Sequence, residues 1–158
     1  MSVTRALPFL TLLGASPAFA RETAGPSVSG AYSVDPDDTS AADTALALGF
    51  EGHVTGAPAL SSGLDLGWAL QRESMFLDLF LGVGYSVVTV GGFVQPILGS
   101  PGFGLAVGPQ FGIGIPFPFV GDASLVQLFG RFDFYVVGDA DFANQAVGGL
   151  RLVLDLTG

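Results

Sequence analysis

One short run of the sequence carries the residue types of a hydrolytic site. Glu51, His53 and Thr55 are spaced two residues apart. On an extended strand, residues at this spacing project from one face, so an acid, an imidazole and a hydroxyl would be neighbours. Catalytic triads are recognised by geometry rather than by composition, and here the hydroxyl belongs to threonine rather than serine. We therefore interpret His53 as structural, predict no catalytic residues and expect that the protein is not an enzyme.

Further ionisable residues fall in segments where every second residue is large and apolar. They occupy the opposite parity, so in strands they would all lie on the face that carries the small residues. Buried charges must be paired or hydrogen-bonded. Five acids against two arginines leave an acidic excess on this face, and a narrow acid-lined pore for small cations is the alternative to a closed network. We predict an internal ion-pair network of Glu51, His53, Asp65, Asp78, Arg131, Asp133, Arg151 and Asp155.

Two acidic runs could offer oxygen ligands to Ca²⁺, namely Asp35-Pro36-Asp37-Asp38 and Asp139-Ala140-Asp141. Neither has the full calcium-binding loop with its glycine and terminal glutamate, so we interpret both as solvated loops. The Gly-x-Gly runs lack a following helix and a lysine, which argues against phosphate loops. The chain has no cysteine, so thiolate metal sites and disulfides are excluded. We predict no metal and no cofactor.

The composition narrows the function classes further. The 158 residues include 24 glycines, 49% are hydrophobic and only 12% are charged, with a formal net charge of −9. Negative charge argues against nucleic-acid binding. High hydrophobicity excludes a disordered polar chain, and the length fits one domain.

Residues 1–20 show the order of features that is typical of a bacterial secretory signal peptide. Arg5 supplies the positive charge, residues 6–15 form a short apolar run, and Ala18-Phe19-Ala20 is a small-x-small cleavage site. The apolar run is about half the roughly 20 residues that a spanning helix needs. We therefore expect cleavage after residue 20 and export from the cytoplasm.

The remainder of the chain divides into two parts that differ in their pattern of apolar and polar residues. Residues 21–43 form a polar segment with a possible first strand, and residues 44–158 alternate large apolar with small or polar residues. A period of two predicts β-strands, and turn signals such as Gly91-Gly92 separate them. We predict eight strands, at about 27–34, 44–55, 60–71, 75–88, 92–98, 102–117, 123–137 and 145–157.

Side-chain volume decides which face of this sheet is inside. An eight-stranded barrel has an interior just wide enough for side chains, so the large apolar face would overfill it. The small and polar face fits inside, and the large residues are then suited to lipid. The sequence therefore predicts an all-β, closed, antiparallel up-and-down barrel that crosses a membrane. Leu66, Trp68, Leu79, Leu105, Phe111, Phe132 and Leu152 should face outward, and Gly67, Asp78, Gln110, Arg131 and Arg151 inward.

The signal peptide, the alternation, the glycine-rich inner face and a final amphipathic strand at 148–156 resemble the small bacterial outer-membrane β-barrels of the OmpA/OmpX/OmpW-like group. The resemblance covers residues 44–158 and rests on these general features, not on a specific motif. It implies location in the bacterial outer membrane, contact with outer-membrane lipid, and the barrel-assembly machinery as partner during insertion. Such barrels usually end in an aromatic residue, whereas this chain ends Leu154-Asp155-Leu156-Thr157-Gly158.

These observations predict a non-enzymatic integral outer-membrane protein with a structural, envelope or interaction role. The alternative is a porin-like narrow pore or conduit for small cations or small apolar ligands. Within the last hairpin, avoidance of like charges predicts Asp133 opposite Arg151, with Arg131 and Asp155 close by.

Overall fold

A closed β-barrel accounts for nearly all of the chain that the computed structural model describes, which is residues 21–99, 102–117, 124–138 and 143–155. Neighbouring elements are antiparallel throughout, and β1 pairs with β7 to close the wall. Within these ranges the chain has no helix with the length and apolar character needed to cross a bilayer. The strand elements are β1 Arg21–Val34, β2 Ala42–Ala69, β3 Ser74–Ser86, β4 Val88–Gly99, β5 Gly102–Pro116, β6 Leu125–Val137 and β7 Gln145–Val153.

The 28-residue element β2 supplies two strands of the barrel. Its first half, 42–55, pairs with β1, and its second half, 56–69, pairs with β3. The backbone N–H of Leu70 donates to the carbonyl of Thr44 at 2.8 Å, so the two halves lie side by side as a hairpin. Gly56 stands at the bend with φ 137°, a conformation that side chains with a Cβ rarely adopt. The barrel therefore has eight antiparallel strands, as predicted.

The registers fix how the strands are staggered. A path of paired residues starts at Thr23 and crosses the two halves of β2 in the register set by the Leu70–Thr44 hydrogen bond. It then runs through Gly82 and Arg131 and returns to β1 at Ser33, ten positions along the strand. That stagger over eight strands tilts them by roughly 40° from the barrel axis. The tilt and the strand lengths together set the height of the wall.

The first and fifth strands differ most from their predicted bounds. β1 begins at Arg21 rather than near residue 27, because its outward positions Glu22, Ala24 and Pro26 lack the large apolar side chains that mark the other strands. The fifth strand, β4, begins at Val88, and the chain reverses at Ser86, whose φ is 59°.

The predicted turn at Gly91-Gly92 is wrong, because both glycines lie inside β4. Gly91 faces Gly82 on β3. A Cβ on Gly91 would collide with the carbonyl of Leu81, so the glycine permits close approach of two strands rather than a turn.

The predicted division between outward and inward residues is confirmed. Leu66, Trp68 and Phe111 are 52%, 42% and 52% exposed, whereas Asp78 and Arg151 are buried inside the barrel. Phe80, Phe93, Ile97 and Ala106 pack together in the interior as an apolar cluster. Large apolar side chains thus surround the outside of the wall, and the interior is shared by charged, amide, small and aromatic groups.

Candidate functional site: the charged interior of the barrel

Arg151 on β7 is the centre of the interior network. Its guanidinium lies 2.6 Å from Glu51 (Nε to Oε1) and 2.9 Å from Asp65 (Nη2 to Oδ2). It also donates a 3.0 Å hydrogen bond to Oε1 of Gln127. The residue is only 1% exposed, and both acids come from β2. Arg151 therefore links the last strand to both halves of β2 by charge-assisted contacts.

Aromatic rings pack against the guanidinium groups of both interior arginines. The Arg151 guanidinium carbon lies 4.2 Å from the ring centroid of Phe80 and 4.6 Å from that of Phe129. The Arg131 guanidinium carbon lies 4.3 Å from the ring centroid of Phe93. Cations at this distance from a ring face are attracted to it, and the rings hold each arginine in place.

Arg131 on β6 forms the second centre. It contacts Asp78 on β3 at 2.6 Å (Nη1 to Oδ2) and Asp133 on its own strand at 2.9 Å (Nε to Oδ1). The two centres share one acid, because Arg151 Nη2 also lies 3.8 Å from Asp78 Oδ2. The ion pairs therefore run as one connected set from β2 and β3 to β6 and β7.

His53 and Glu51 form a buried pair, with Nε2 2.9 Å from Oε2. They are 5% and 0% exposed. Because the other oxygen of Glu51 faces Arg151, this carboxylate is held by two cationic or polar partners at once. An enclosed pair of this kind fits a structural role for His53 better than the hydrolytic reading of the Glu51–Thr55 run.

A further ion pair, formed by a third arginine, lies near the β2–β3 connection, and the sequence interpretation missed it. Arg72 Nε contacts Asp43 Oδ2 at 2.7 Å, and Arg72 Nη1 donates to the hydroxyl of Tyr135 at 2.7 Å. The sequence places Asp43 in the polar segment 21–43 and Arg72 between the predicted strands 60–71 and 75–88. The hairpin within β2 brings them together, because Gln71 N–H donates to Asp43 Oδ1. Only a prediction of that hairpin register could have found the pair.

The predicted register of the last hairpin is wrong. Asp133 stands opposite Gln145, and Arg151 stands opposite Gln127. Residues of equal parity still pair, as the alternation required, and the two arginines do not face each other. Both arginines find acids across the barrel instead of on the neighbouring strand, so the Asp133–Arg151 contact does not form.

The structure therefore brings together seven of the eight residues named for the network. Asp155 lies beyond the end of β7, and its backbone N–H donates to Ser124 Oγ. Arg131 pairs with Val147 near the other end of that strand, so the predicted approach of Arg131 to Asp155 is also wrong. The seven that meet are Glu51, His53, Asp65, Asp78, Arg131, Asp133 and Arg151.

The first acidic run is a turn whose oxygens accept bonds from its own backbone. Asp35 Oδ1 accepts from the N–H of Asp37 at 2.9 Å, and Asp38 Oδ1 accepts from the N–H of Ser40 at 3.1 Å. The Ser40 hydroxyl also donates to Asp38, and these bonds lower the pKa of that carboxyl. The run 139–141 lies outside the described residues. Within the described part of the chain, no group of three or more His, Cys, Asp or Glu residues is arranged to hold a metal ion.

A cavity of about 40 Å³ lies between the Arg72 end and the central arginines, lined by side chains that include Asp65, Asp78 and Gln145. It has room for no more than a few water-sized groups. The interior ion pairs join five carboxylates to three arginines and one histidine.

Comparison with protein-family models, with curated proteins and with solved structures found no match to this chain.

Proposed function

We propose that this protein is a non-enzymatic integral outer-membrane β-barrel with a structural, envelope or interaction role. The observation that carries the proposal is the inverted polarity of the barrel, with large apolar residues outside and charges inside. Leu48, Leu81 and Tyr85 are 68%, 64% and 73% exposed, and every strand carries at least one such residue. Soluble monomers rarely expose contiguous apolar surface on this scale, because contact of apolar surface with water is unfavourable in free energy.

The dimensions of the wall support the same proposal. β3, β4 and β6 have 13, 12 and 13 residues. At a rise of roughly 3.3 Å per residue and a tilt of roughly 40°, such strands span a height of about 30 Å. The hydrocarbon core of a bilayer has about the same thickness. A closed wall also leaves no unpaired strand edge in lipid, where unsatisfied backbone groups are costly.

The interior favours a structural role over the alternative of a narrow pore. Arg151 and Arg131 extend across the barrel to acids on β2 and β3, and aromatic rings fill the space beside them. The excess of carboxylates is the one feature that favours passage of small cations. Planar-bilayer conductance separates the two roles, because a packed lumen predicts no cation-selective steps.

Location and partners rest on residues 1–20 and on the resemblance to the OmpA/OmpX/OmpW-like group. Export through a cleaved signal peptide would deliver the chain to the barrel-assembly machinery and then to outer-membrane lipid. Its acidic net charge of −9 agrees with an absence of nucleic-acid partners.

The proposal is tested by expressing the full chain in a Gram-negative host and separating the envelope fractions. The expected result is recovery in the outer membrane, with a band that migrates differently before and after boiling, as a folded barrel does. A chain that lacks residues 2–20 serves as the control and should remain in the cytoplasm. Recovery of the full chain as a folded protein in the soluble periplasmic fraction would overturn the proposal.

A further inference from the structure

An apolar groove of about 470 Å³ crosses the outer surface of the barrel over β1, β2 and β3. Its volume is that of a small-molecule site, since such sites range from roughly 300 to 1,000 Å³. Large apolar side chains of the outer face form its walls, namely Val28, Leu46, Leu48, Leu66, Trp68 and Met75.

Two rows of side chains that run across the strands bound this groove. The register between the two halves of β2 places Leu46 beside Trp68 and Leu48 beside Leu66. Ala47 lies between the rows and also lines the interior cavity, so the backbone of the wall is the floor of the groove. From β1 to β3 the groove crosses three strand spacings, which is roughly 14 Å. A long, narrow apolar trough of this kind suits a flexible alkyl chain.

The β3 end of the groove lies beside an exposed carboxylate. Met75 lines that end, and Glu73 precedes it by two residues, so their Cα atoms are no more than about 7 Å apart. The connection between β1 and β2, at the same end of the barrel, adds the exposed residues Asp37 and Asp38. Arg72, next to Glu73, is already engaged in a salt bridge. Negative charge therefore borders the groove at this end.

We propose that this groove binds a single-chain amphiphile with a cationic ammonium head. The alkyl chain lies against Leu48, Leu66 and Trp68, and the ammonium group lies beside Glu73. Burial of the chain supplies the affinity, and the acidic end selects the charge of the head. A second copy of this chain fits the groove less well, because two barrels side by side in one orientation would bring their acidic ends together.

Trp68 reports directly on occupancy, because it is the single tryptophan and lines the groove. The purified full chain, folded in dodecyl maltoside micelles, is titrated with dodecyltrimethylammonium that carries bromine on its alkyl chain. Dodecyl maltoside with the same bromines is the neutral comparison at equal mole fraction in the micelle. We expect the ammonium amphiphile to quench Trp68 several-fold more strongly and to saturate.

Two acids at opposite ends of the barrel provide a matched pair of variants. Glu73→Gln and Glu22→Gln each remove one exposed negative charge, but Glu22 lies at the start of β1, far from the groove end that Glu73 borders. Glu73→Gln should remove the preference for the ammonium head, whereas Glu22→Gln should retain it.

A second pair of variants tests the groove itself. Val28→Phe narrows the groove and should weaken quenching by both amphiphiles. Val90→Phe adds the same ring to the outer face of β4, where Val90 is 60% exposed, and should leave quenching unchanged.

Three results would overturn the proposal. One is equal quenching of the unaltered chain by the ammonium and maltoside amphiphiles. Another is loss of the preference in both glutamine variants, which would assign it to net charge alone. The third is a dimer in sedimentation that Val28→Phe dissociates, which would assign the groove to a second copy. None of these results bears on recovery in the outer membrane, so failure of the amphiphile site and failure of the proposed location are distinguishable.

Discussion

Arg151 on β7 reaches across the interior of the barrel to Asp65 on β2, with 2.9 Å between Nη2 and Oδ2. The two residues are 1% exposed each, and Glu51 approaches the same guanidinium at 2.6 Å. Distant strands of the wall are therefore joined through a charge cluster that lies beside the apolar cluster of the interior.

Removing Arg151 and Asp65 together should cost less than the sum of the two single removals. Arg151→Gln leaves Glu51 and Asp65 without their main counter-charge, and breaking a buried pair from one side costs about 3–5 kcal/mol. Arg151→Gln combined with Asp65→Asn should be less destabilised than the sum of the single variants. Urea unfolding of the four proteins in one detergent measures this coupling, and strictly additive losses would show that the two side chains act independently.

Alanine substitutions at one crowded and one uncrowded glycine test the close approach of β3 and β4. A Cβ at Gly91 would meet the carbonyl of Leu81, whereas a Cβ at Gly148 meets nothing within 4 Å. Gly91→Ala should lower the free energy of unfolding by about 1–3 kcal/mol, as overpacking does. Gly148→Ala should leave it nearly unchanged. Equal effects in equilibrium unfolding would contradict the register between β3 and β4.

A charge on the outer face separates a lipid-facing wall from a water-facing one. Leu81 is 64% exposed, so an arginine there would be harmless in water. Near the middle of a bilayer it should cost about 2–4 kcal/mol. Refolding of Leu81→Arg into lipid vesicles measures the cost, and Thr39→Arg in the exposed β1–β2 connection is the neutral control. A Leu81→Arg variant as stable as the control would argue for a water-facing wall.

The connections at the two ends of the barrel should differ in access from outside the cell. If the barrel lies in the outer membrane with both chain ends in the periplasm, the connection at 35–41 should emerge at the cell surface and the hairpin bend of β2 should face the periplasm. Thr39→Cys should react with an impermeant maleimide on intact cells, and Ala57→Cys should react only after lysis. The reverse pattern would invert the topology.

The alternation of side chains was enough to predict most of the strands and their inner faces. Asp78 and Arg151 were placed inside and Trp68 outside, because a period of two fixes each residue relative to its neighbours. The alternation does not fix how far strands slide against each other in steps of two residues, since every such register keeps the same faces inside.

Contacts between distant strands could therefore not be predicted from the sequence. Arg151 was expected to meet Asp133 on the adjacent strand, but its acids come from β2 on the far side of the interior. The pair Arg72–Asp43 depends on a hairpin register in the same way. The start of strand β1 is missed because its outer face begins with Glu22, Ala24 and Pro26, which do not give the large apolar pattern of the other strands.

Quenching of the single tryptophan tests the central claim most directly. Trp68 lies on the outer face near one end of β2 and is 42% exposed. If the wall faces lipid, its fluorescence in reconstituted vesicles should be quenched strongly by lipids brominated near the headgroup end of the acyl chain. Aqueous acrylamide should then quench it weakly. Strong quenching by acrylamide together with no effect of the brominated lipids would contradict a membrane-embedded barrel.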